Sequence, residues 1–520
     1  MNGLERAGEN VAIMKTLGTN PEDTYRRVMD SIKRKYEGDV KKLDSLNGRG
    51  LENRFKEVMG ETRIPANHMA AKVGSIVRAV QSMSKLGGAV ISAFSDVPLY
   101  AGEMRYQGRG YLSSTAEAMT GLLRGRGSQE QKEIVSVWGV TMDAVRSDLA
   151  TRFSAHDDMP GAMTRAMRKF FKLNGLEWWT DTMRTSATLG MAHHIALQKS
   201  KGWDSIDDSL RHTLSLYGID SGKWDMIRKT ANKQADGRDY ATPEGLRNIS
   251  AVDVRSYLGK PNASESEISR LRDEVENQFR TYMQDRVEYA VINPDANTRA
   301  AMLQGTQPGT ILGEGLRFVM QFKAFPVAVL QKTWGRDLFS KGQADIPALA
   351  TMIAMSGLTG YVAMSAKDIL KGKEPRDPLD PKTIVAAMLQ GGGAGIYGDF
   401  LFGRYTRFGN STIASLAGPT AGSFEDAVNM VQAVREGDLK GAGNEAYRFT
   451  TSHLPGANLF YTKPVMDYLI TYQIQEFMNP GYLRRMEKRI AKDTGQDFWE
   501  LPFASGRPSD HVPRGGLWGF

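Results

Sequence analysis

Cysteine is absent from this 520-residue sequence, which excludes disulfides, thiolate metal ligands and cysteine nucleophiles in one step. Any chemistry must use other groups. Sustained period-two alternation bounded by turn residues is also missing, so a sheet-based fold would have to be assembled from scraps. The opening stretch, MNGLERAGENVAIMK, lacks a basic run followed by an apolar core, and the expectation is a chain not exported by a secretory signal. No internal repeat of constant period and no long low-complexity tract stand out. Charge of one sign is in short supply too. The 67 Lys and Arg exceed the 59 Asp and Glu by only enough to give a net charge of +8. That excess favours a polyanionic partner, nucleic acid or an acidic membrane face, but is mild for this length.

Helix signals fill the space that strands leave. In NPEDTYRRVMDSIKRKYEGDVKKL, Asn20 is placed to cap, Pro21 takes the first helical position and acids follow in the first turn. Tyr25, Val28, Met29, Ile32, Tyr36, Val40 and Leu43 then form one apolar stripe on a long charged helix. In SESEISRLRDEVENQFRTYMQDRVEYAV, Ser264 and Glu267 have capping-box spacing. Ile268, Leu271, Val275, Phe279, Met283, Val287 and Ala290 make the buried stripe of that helix. The expected fold is mainly α: an extended multi-segment protein of long amphipathic helices with a Gly-rich apolar block towards the C-terminus. The 26 Met and 54 Gly suit adaptable apolar surfaces and closely approaching helices.

Turn-rich stretches at 232–245, 292–310 and 371–382 read as loops or hinges. They divide the chain into charged amphipathic helices at 1–60, a helical block with a Trp-rich segment at 61–235, and a second helical block at 236–345. An apolar Gly-rich block with a candidate membrane-active segment follows at 346–424, then C-terminal helices with a basic cluster and an irregular tail at 425–520. Residues 346–366 are uncharged and approach the roughly 20 apolar residues that span a bilayer. Pro347, Gly357 and Gly360 leave a buried core helix and conditional membrane insertion both open.

Gly393–Gly398, GAGIYG, has the G-x-G-x-x-G letters of a dinucleotide cradle. That motif needs a buried strand leading in and an acid about 20 residues on. Here a Pro-initiated helix pattern precedes it and Gly418-Pro419-Thr420 follows, so no nucleotide site and no cofactor is expected. The seven histidines are scattered, with only His193 and His194 adjacent, which is not the i, i+4 spacing of a zinc helix. His156-Asp157-Asp158 reads as a loop or cap. No acid stands in a recognisable catalytic motif, so neither catalytic nor metal-binding residues are assigned. Trp178 and Trp179, in NGLEWWTDTMR, are candidate interfacial aromatics. Arg484, Arg485, Lys488, Arg489 and Lys492 lie mostly on one helical side as a candidate phosphate-contacting cluster, against the commoner reading of a solvated face.

Read in order, ERAGENVAIMKTLGTNPEDTYRRVMD, SKLGGAVISAFSDVPLYAGEMRYQGRGYL, FFKLNGLEWWTDTMR, GEGLRFVMQFKAFPVAVL, AKDILKGKEPRD, LQGGGAGIYGDFLFG, SLAGPTAG and NPGYLRRMEKRIAKDTGQDFW cover nearly the whole chain. The series resembles the C-terminal region of large bacteriophage internal virion proteins, also called ejection or DNA-transfer proteins. The resemblance implies a non-enzymatic, homo-oligomeric component of a conduit across the host envelope. It implies storage in the virion interior and then a place in the host envelope. The implied partners are other ejection or core proteins, the portal or tail, genomic DNA in transit and the envelope membrane. Many relatives carry an upstream peptidoglycan-cleaving domain, and the expectation is that this chain lacks one. Two other readings stay open: a nucleic-acid-binding protein that organises packaged DNA, and a peptidoglycan-degrading virion protein. Gly87, Gly88 and Ala89, and Gly391, Gly392, Gly393, Gly395 and Gly398, are candidate hinge or helix-contact positions.

Overall fold

The computed structural model describes residues 2–41, 43, 49–125, 127–139, 161–339, 344–391, 450, 454 and 456–498. They form a mainly α protein. The main elements, in chain order, are α1 (Asn2–Leu17), α2 (Pro21–Lys35), α3 (Arg49–Val58), α4 (His68–Lys85), α5 (Asp96–Tyr106), α6 (Tyr111–Arg124), α7 (Gln129–Val137), α8 (Gly161–Leu173) and α9 (Leu176–Gln198). They continue with β1 (Lys233–Ala235), β2 (Arg238–Tyr240), α10 (Glu265–Ala290), α11 (Ala296–Leu303), α12 (Gly335–Phe339), α13 (Ile346–Leu370), α14 (Pro381–Gly391) and α15 (Tyr482–Thr494).

Contacts divide the chain into two units, one of Met1–Ser75 with Pro294–Arg317, the other of Ile76–Asn293 with Phe318–Phe520. This division differs from the blocks drawn between turn-rich stretches. The 236–345 block is not one body, since Pro294–Arg317 within it belongs with the N-terminal segment, and Gly- and Pro-rich runs punctuate helices rather than bodies. The stretch 292–310, expected as a loop or hinge, contains α11, capped by Asp295 accepting from the Thr298 amide at 2.8 Å.

The first unit is held largely by polar contacts. Arg299 Nε donates to the buried Glu57 at 2.7 Å. The guanidinium of Arg317, also buried, donates to the carbonyls of Thr62 and Gly313 at 2.8 and 3.1 Å. Asn20 caps α2 as expected, accepting from Asp23 N at 3.2 Å, and Tyr25 stacks on Phe55 at 4.3 Å. However, α2 stops at Lys35 and none of its residues is fully buried. Val28 and Val40 of the expected stripe are exposed. Spacing predicted a face, but the unit offers too little apolar surface to cover it.

The second unit is built around α9 and α10. The capping box of α10 is present, with Ser264 Oγ accepting from Glu267 N at 3.3 Å and Glu267 accepting from Ser264 N at 2.9 Å. All seven residues of its expected stripe, from Ile268 to Ala290, are buried. Against them pack Trp138, edge-on to Phe279 at 4.9 Å, and the α9 side chains Trp179, Met183, Ala187, Met191 and Ile195. Within the 232–245 stretch, also expected as a loop or hinge, residues 233–240 form a β-hairpin with a two-residue turn. Asp236 and Gly237, at φ 47° and 72°, form the turn, with Ala235 opposite Arg238. A turn with positive φ at both central residues matches the twist of the flanking strands, and Asp-Gly tolerates it. The hairpin docks on α9 through Ala241 N to Ala192 O at 3.0 Å and through His193 Nδ1 against Asp239 O at 2.8 Å.

One buried carboxylate ties three helices of this unit together. Glu103 of α5 accepts from Arg286 Nε of α10 at 2.7 Å, from Arg336 Nη1 of α12 at 2.9 Å and from Gln107 Nε2 at 2.7 Å. Arg336 also pairs with Asp337 at 2.7 Å, so the group is close to electroneutral. Tyr106 and Tyr289 lie under the guanidinium of Arg286 at 5.1 and 4.0 Å from their ring centres. Burial pushes the Glu103 carboxyl towards neutrality, but Arg286 and Arg336 together outweigh it and hold its pKa below the usual carboxylate value. Glu103→Gln takes the paired carboxylate from Arg286 and leaves Arg336 only Asp337, and we expect a loss of about 3–5 kcal/mol in chemical denaturation. A loss under about 1 kcal/mol would contradict the role assigned to this group.

His194 of α9 faces the same region, with Nε2 3.1 Å from Gln107 O. Burial first, and then the Arg109 guanidinium, push its pKa down to about 4. The neutral ring therefore donates to the carbonyl. Because the unfolded-state pKa is near 6.5, the unfolded chain takes up the proton first, so this contribution is complete above that value and lost as pH falls towards 4. A loss of about 3 kcal/mol across that window is expected, and His194→Gln should flatten it in pH-dependent denaturation.

Candidate functional site

Small residues decide the geometry of α13 and α14. Asp345 caps α13, accepting from Ala348 N at 2.9 Å, Pro347 sits in the first turn, and 25 helical residues follow. That is a rod of about 37 Å, and α13 alone among the described helices is long and apolar enough to cross a membrane by length and composition. The buried residues of α13 are Met352, Ser356, Gly360, Ala363, Met364 and Asp368. On α14 they include Thr383, Ala386, Ala387, Gln390 and Gly391. Several large aliphatics point the other way: Leu358 is 55% exposed, Val362 46% and Val385 56%.

Large apolar side chains therefore stand on both sides: Met352 and Met364 are buried with the small residues, while Leu358, Val362 and Val385 face outward. Small residues, Ser356, Gly360, Ala387 and Gly391, set the contact between the two helices. The contact is close. A side-chain carbon on Gly360 would land on the Ala387 carbonyl oxygen, and one on Gly391 would land on that of Ser356. Gly391 therefore stands at a close helix contact, one of the two roles left open for it. Gly392, Gly393, Gly395 and Gly398 lie outside the described residues, and so does the GAGIYG motif. The element leading towards that motif is the helix α14, not the strand that a dinucleotide cradle requires.

The other expected positions fall apart in space and environment. Trp179 is a correction: it is buried, 5.0 Å from the Phe94 ring, and its Nε1 donates to Asp96 at 3.2 Å, so it anchors the core. Trp178, its neighbour on α9, is 40% exposed and keeps the character of a surface aromatic. Adjacent residues on a helix point about 100° apart, which splits the pair between inside and outside. Gly87 accommodates not a helix but the backbone at Asn458, whose carbonyl a side chain would hit, and Gly88 faces open space.

The residues of the basic cluster share one helix. Arg484, Arg485, Lys488, Arg489 and Lys492 are all exposed on α15, while Leu483 is buried and Met486 and Ile490 are half-buried on the other side. Arg485 is partly engaged, donating to Asn479 Oδ1 at 2.6 Å. His193 and His194 both contact backbone carbonyls, and among the described residues no group of three or more His, Asp or Glu side chains is placed to hold a metal ion.

Sequence reasoning missed the Glu103 group. Its members are spread from position 103 to 337, which hides the pairing. One signal was available: Arg286 sits among Phe279, Met283, Val287 and Ala290 on the buried side of α10, where an uncompensated charge would not be tolerated.

Comparison with protein families, curated proteins and solved structures returned no match.

The close contact makes a graded prediction. Gly357, whose added carbon would meet only Met388 Cγ at 3.4 Å, should accept Ala with little change. Gly360→Ala should cost about 1–3 kcal/mol through overpacking against backbone. Hydrogen exchange of residues 346–391 checks this: protection should fall for the second variant and hold for the first.

Proposed function

We propose that this protein is a phage internal virion protein: a non-enzymatic helical component of the conduit that carries a viral genome across the host cell envelope. It is stored in the virion interior with other ejection or core proteins, near the portal or tail, and acts as a homo-oligomer in the host envelope with genomic DNA in transit. The ordered series of stretches that resembles ejection proteins supports this reading. The observation that carries it is the α13–α14 hairpin, with Ser356, Gly360, Ala387 and Gly391 inside and Leu358, Val362 and Val385 outside. A protein that is soluble in a capsid and enters a bilayer later benefits from one hairpin already organised for lipid on a body stabilised independently by its own core.

Purified protein mixed with dye-loaded vesicles, alone and with its virion partners, should associate and release dye. Gly360→Val and Gly391→Val should reduce release at least roughly tenfold by prising the helices apart. A protein that leaves vesicles intact under every one of these conditions contradicts the reading.

The exposed cations of α15 favour a second reading, binding to the DNA backbone. Its mark is affinity that falls steeply with salt. Replacing Arg484, Arg489, Lys488 and Lys492 with Glu should flatten that slope. An unchanged slope removes the helix from the interaction.

A further inference from the structure

The α13–α14 hairpin is fastened to the rest of its unit at several places of different chemistry, among them Tyr468 Oη, which donates to Lys371 O at 3.3 Å. Near its start, Met352 packs with Leu99, Ile292, Phe325, Ala328 and Val329. Further along, Ser92 Oγ accepts from Lys367 Nζ at 2.8 Å and from Gln390 Nε2 at 3.4 Å. The far end is held by a short strap that follows α15. Gly495, at φ 66°, ends that helix, and the chain crosses the C-terminal end of α13. Gln496 Nε2 donates to Asp368 Oδ2 at 2.9 Å and to Glu374 O at 2.6 Å. The Glu374 amide donates to Asp497 O at 3.0 Å, and Phe498, 1% exposed, stands opposite Lys373 as an antiparallel pair.

We propose that residues 495–498 are an autoinhibitory clasp, which holds the apolar hairpin against the body until the strap is withdrawn. This inference rests on the membrane reading above. Three observations support it. First, the fastening is short: three hydrogen bonds made by Gln496 and Asp497, which exchange with water at small net cost, and one buried side chain, Phe498. Second, opening leaves the buried Asp368 paired, because Arg376 Nε still donates to it at 3.1 Å and Tyr361 Oη still donates to Arg376 O at 2.8 Å. Both partners lie within 345–391, so the hairpin carries its own counterion. Third, the clasp is joined to α15 through Gly495 alone. A pull on that basic helix is thus transmitted directly to Gln496 and Phe498.

The absence of cysteine makes a clean test possible. Directly opposite residues of an antiparallel pair have Cα atoms about 4.5–5.5 Å apart, within disulfide range. In the full chain, Lys373→Cys with Phe498→Cys gives one polypeptide that is locked when oxidised and weakened when reduced. A Gln496→Ala/Phe498→Ala variant supplies a permanently open form. Hydrogen exchange of residues 346–391 should accelerate at least roughly tenfold in the reduced and open forms and return to the wild-type rate on oxidation, with residues 265–290 unchanged throughout. Sedimentation with phosphatidylcholine–phosphatidylglycerol vesicles should rise and fall in step. Hairpin exchange that is the same in all forms overturns the clasp. Exchange that responds while no form binds vesicles leaves the strap as a fastening and overturns the membrane reading instead.

Discussion

A carboxylate removed from water sets the terms for the larger unit. Glu103 is fully buried and can stay ionised only while Arg286 and Arg336 are beside it. Those arginines come from helices separated from α5, and from each other, by long stretches of chain. The pairing therefore requires α5, α10 and α12 to meet in one arrangement. Hydrophobic burial around Trp138, Phe279 and Met191 contributes area but little direction. The directional bonds of the charged group choose one packing among many, and α12 leads from it to Asp345, the cap of α13.

That fixed body makes an unusual neighbour tolerable. A hairpin that turns Leu358, Val362 and Val385 outward gains little from its own burial. It is held instead by Met352 at one end, by Ser92 along its length and by the strap at Gln496–Phe498. The larger unit thus joins a stable core to an appendage fastened by weaker bonds. Local opening of such an appendage costs less than global unfolding, and elements that move are drawn from that low-stability end. In the proposed role, the core keeps its shape during transit while the hairpin changes partners.

Sequence reasoning reached furthest where local and tertiary demands agree. The α10 helix was legible because its capping box and its apolar stripe report the same boundaries. The Asn20 cap was equally plain, but the stripe beyond it was not a guide to burial, because the small N-terminal unit has little core to offer Val28 or Val40. The hairpin at Asp236-Gly237 was hidden by its three-residue strands, too short to show alternation. Trp179 was misplaced because a pair of tryptophans carries no mark of which one turns inward. For α13, hydropathy gave its length and apolar character. Which side faces a partner depends on residue size at Ser356, Gly360 and Ala363, a signal that hydropathy does not weigh.

The central claim is that the large residues of α13 face lipid while its small residues face α14. Since the chain has no cysteine, single replacements Leu358→Cys and Ser356→Cys can each carry an environment-sensitive fluorophore. With vesicles present, the account predicts a blue shift of the probe at position 358 and little or no change at position 356. Equal responses at the two positions, or none at either, would contradict it.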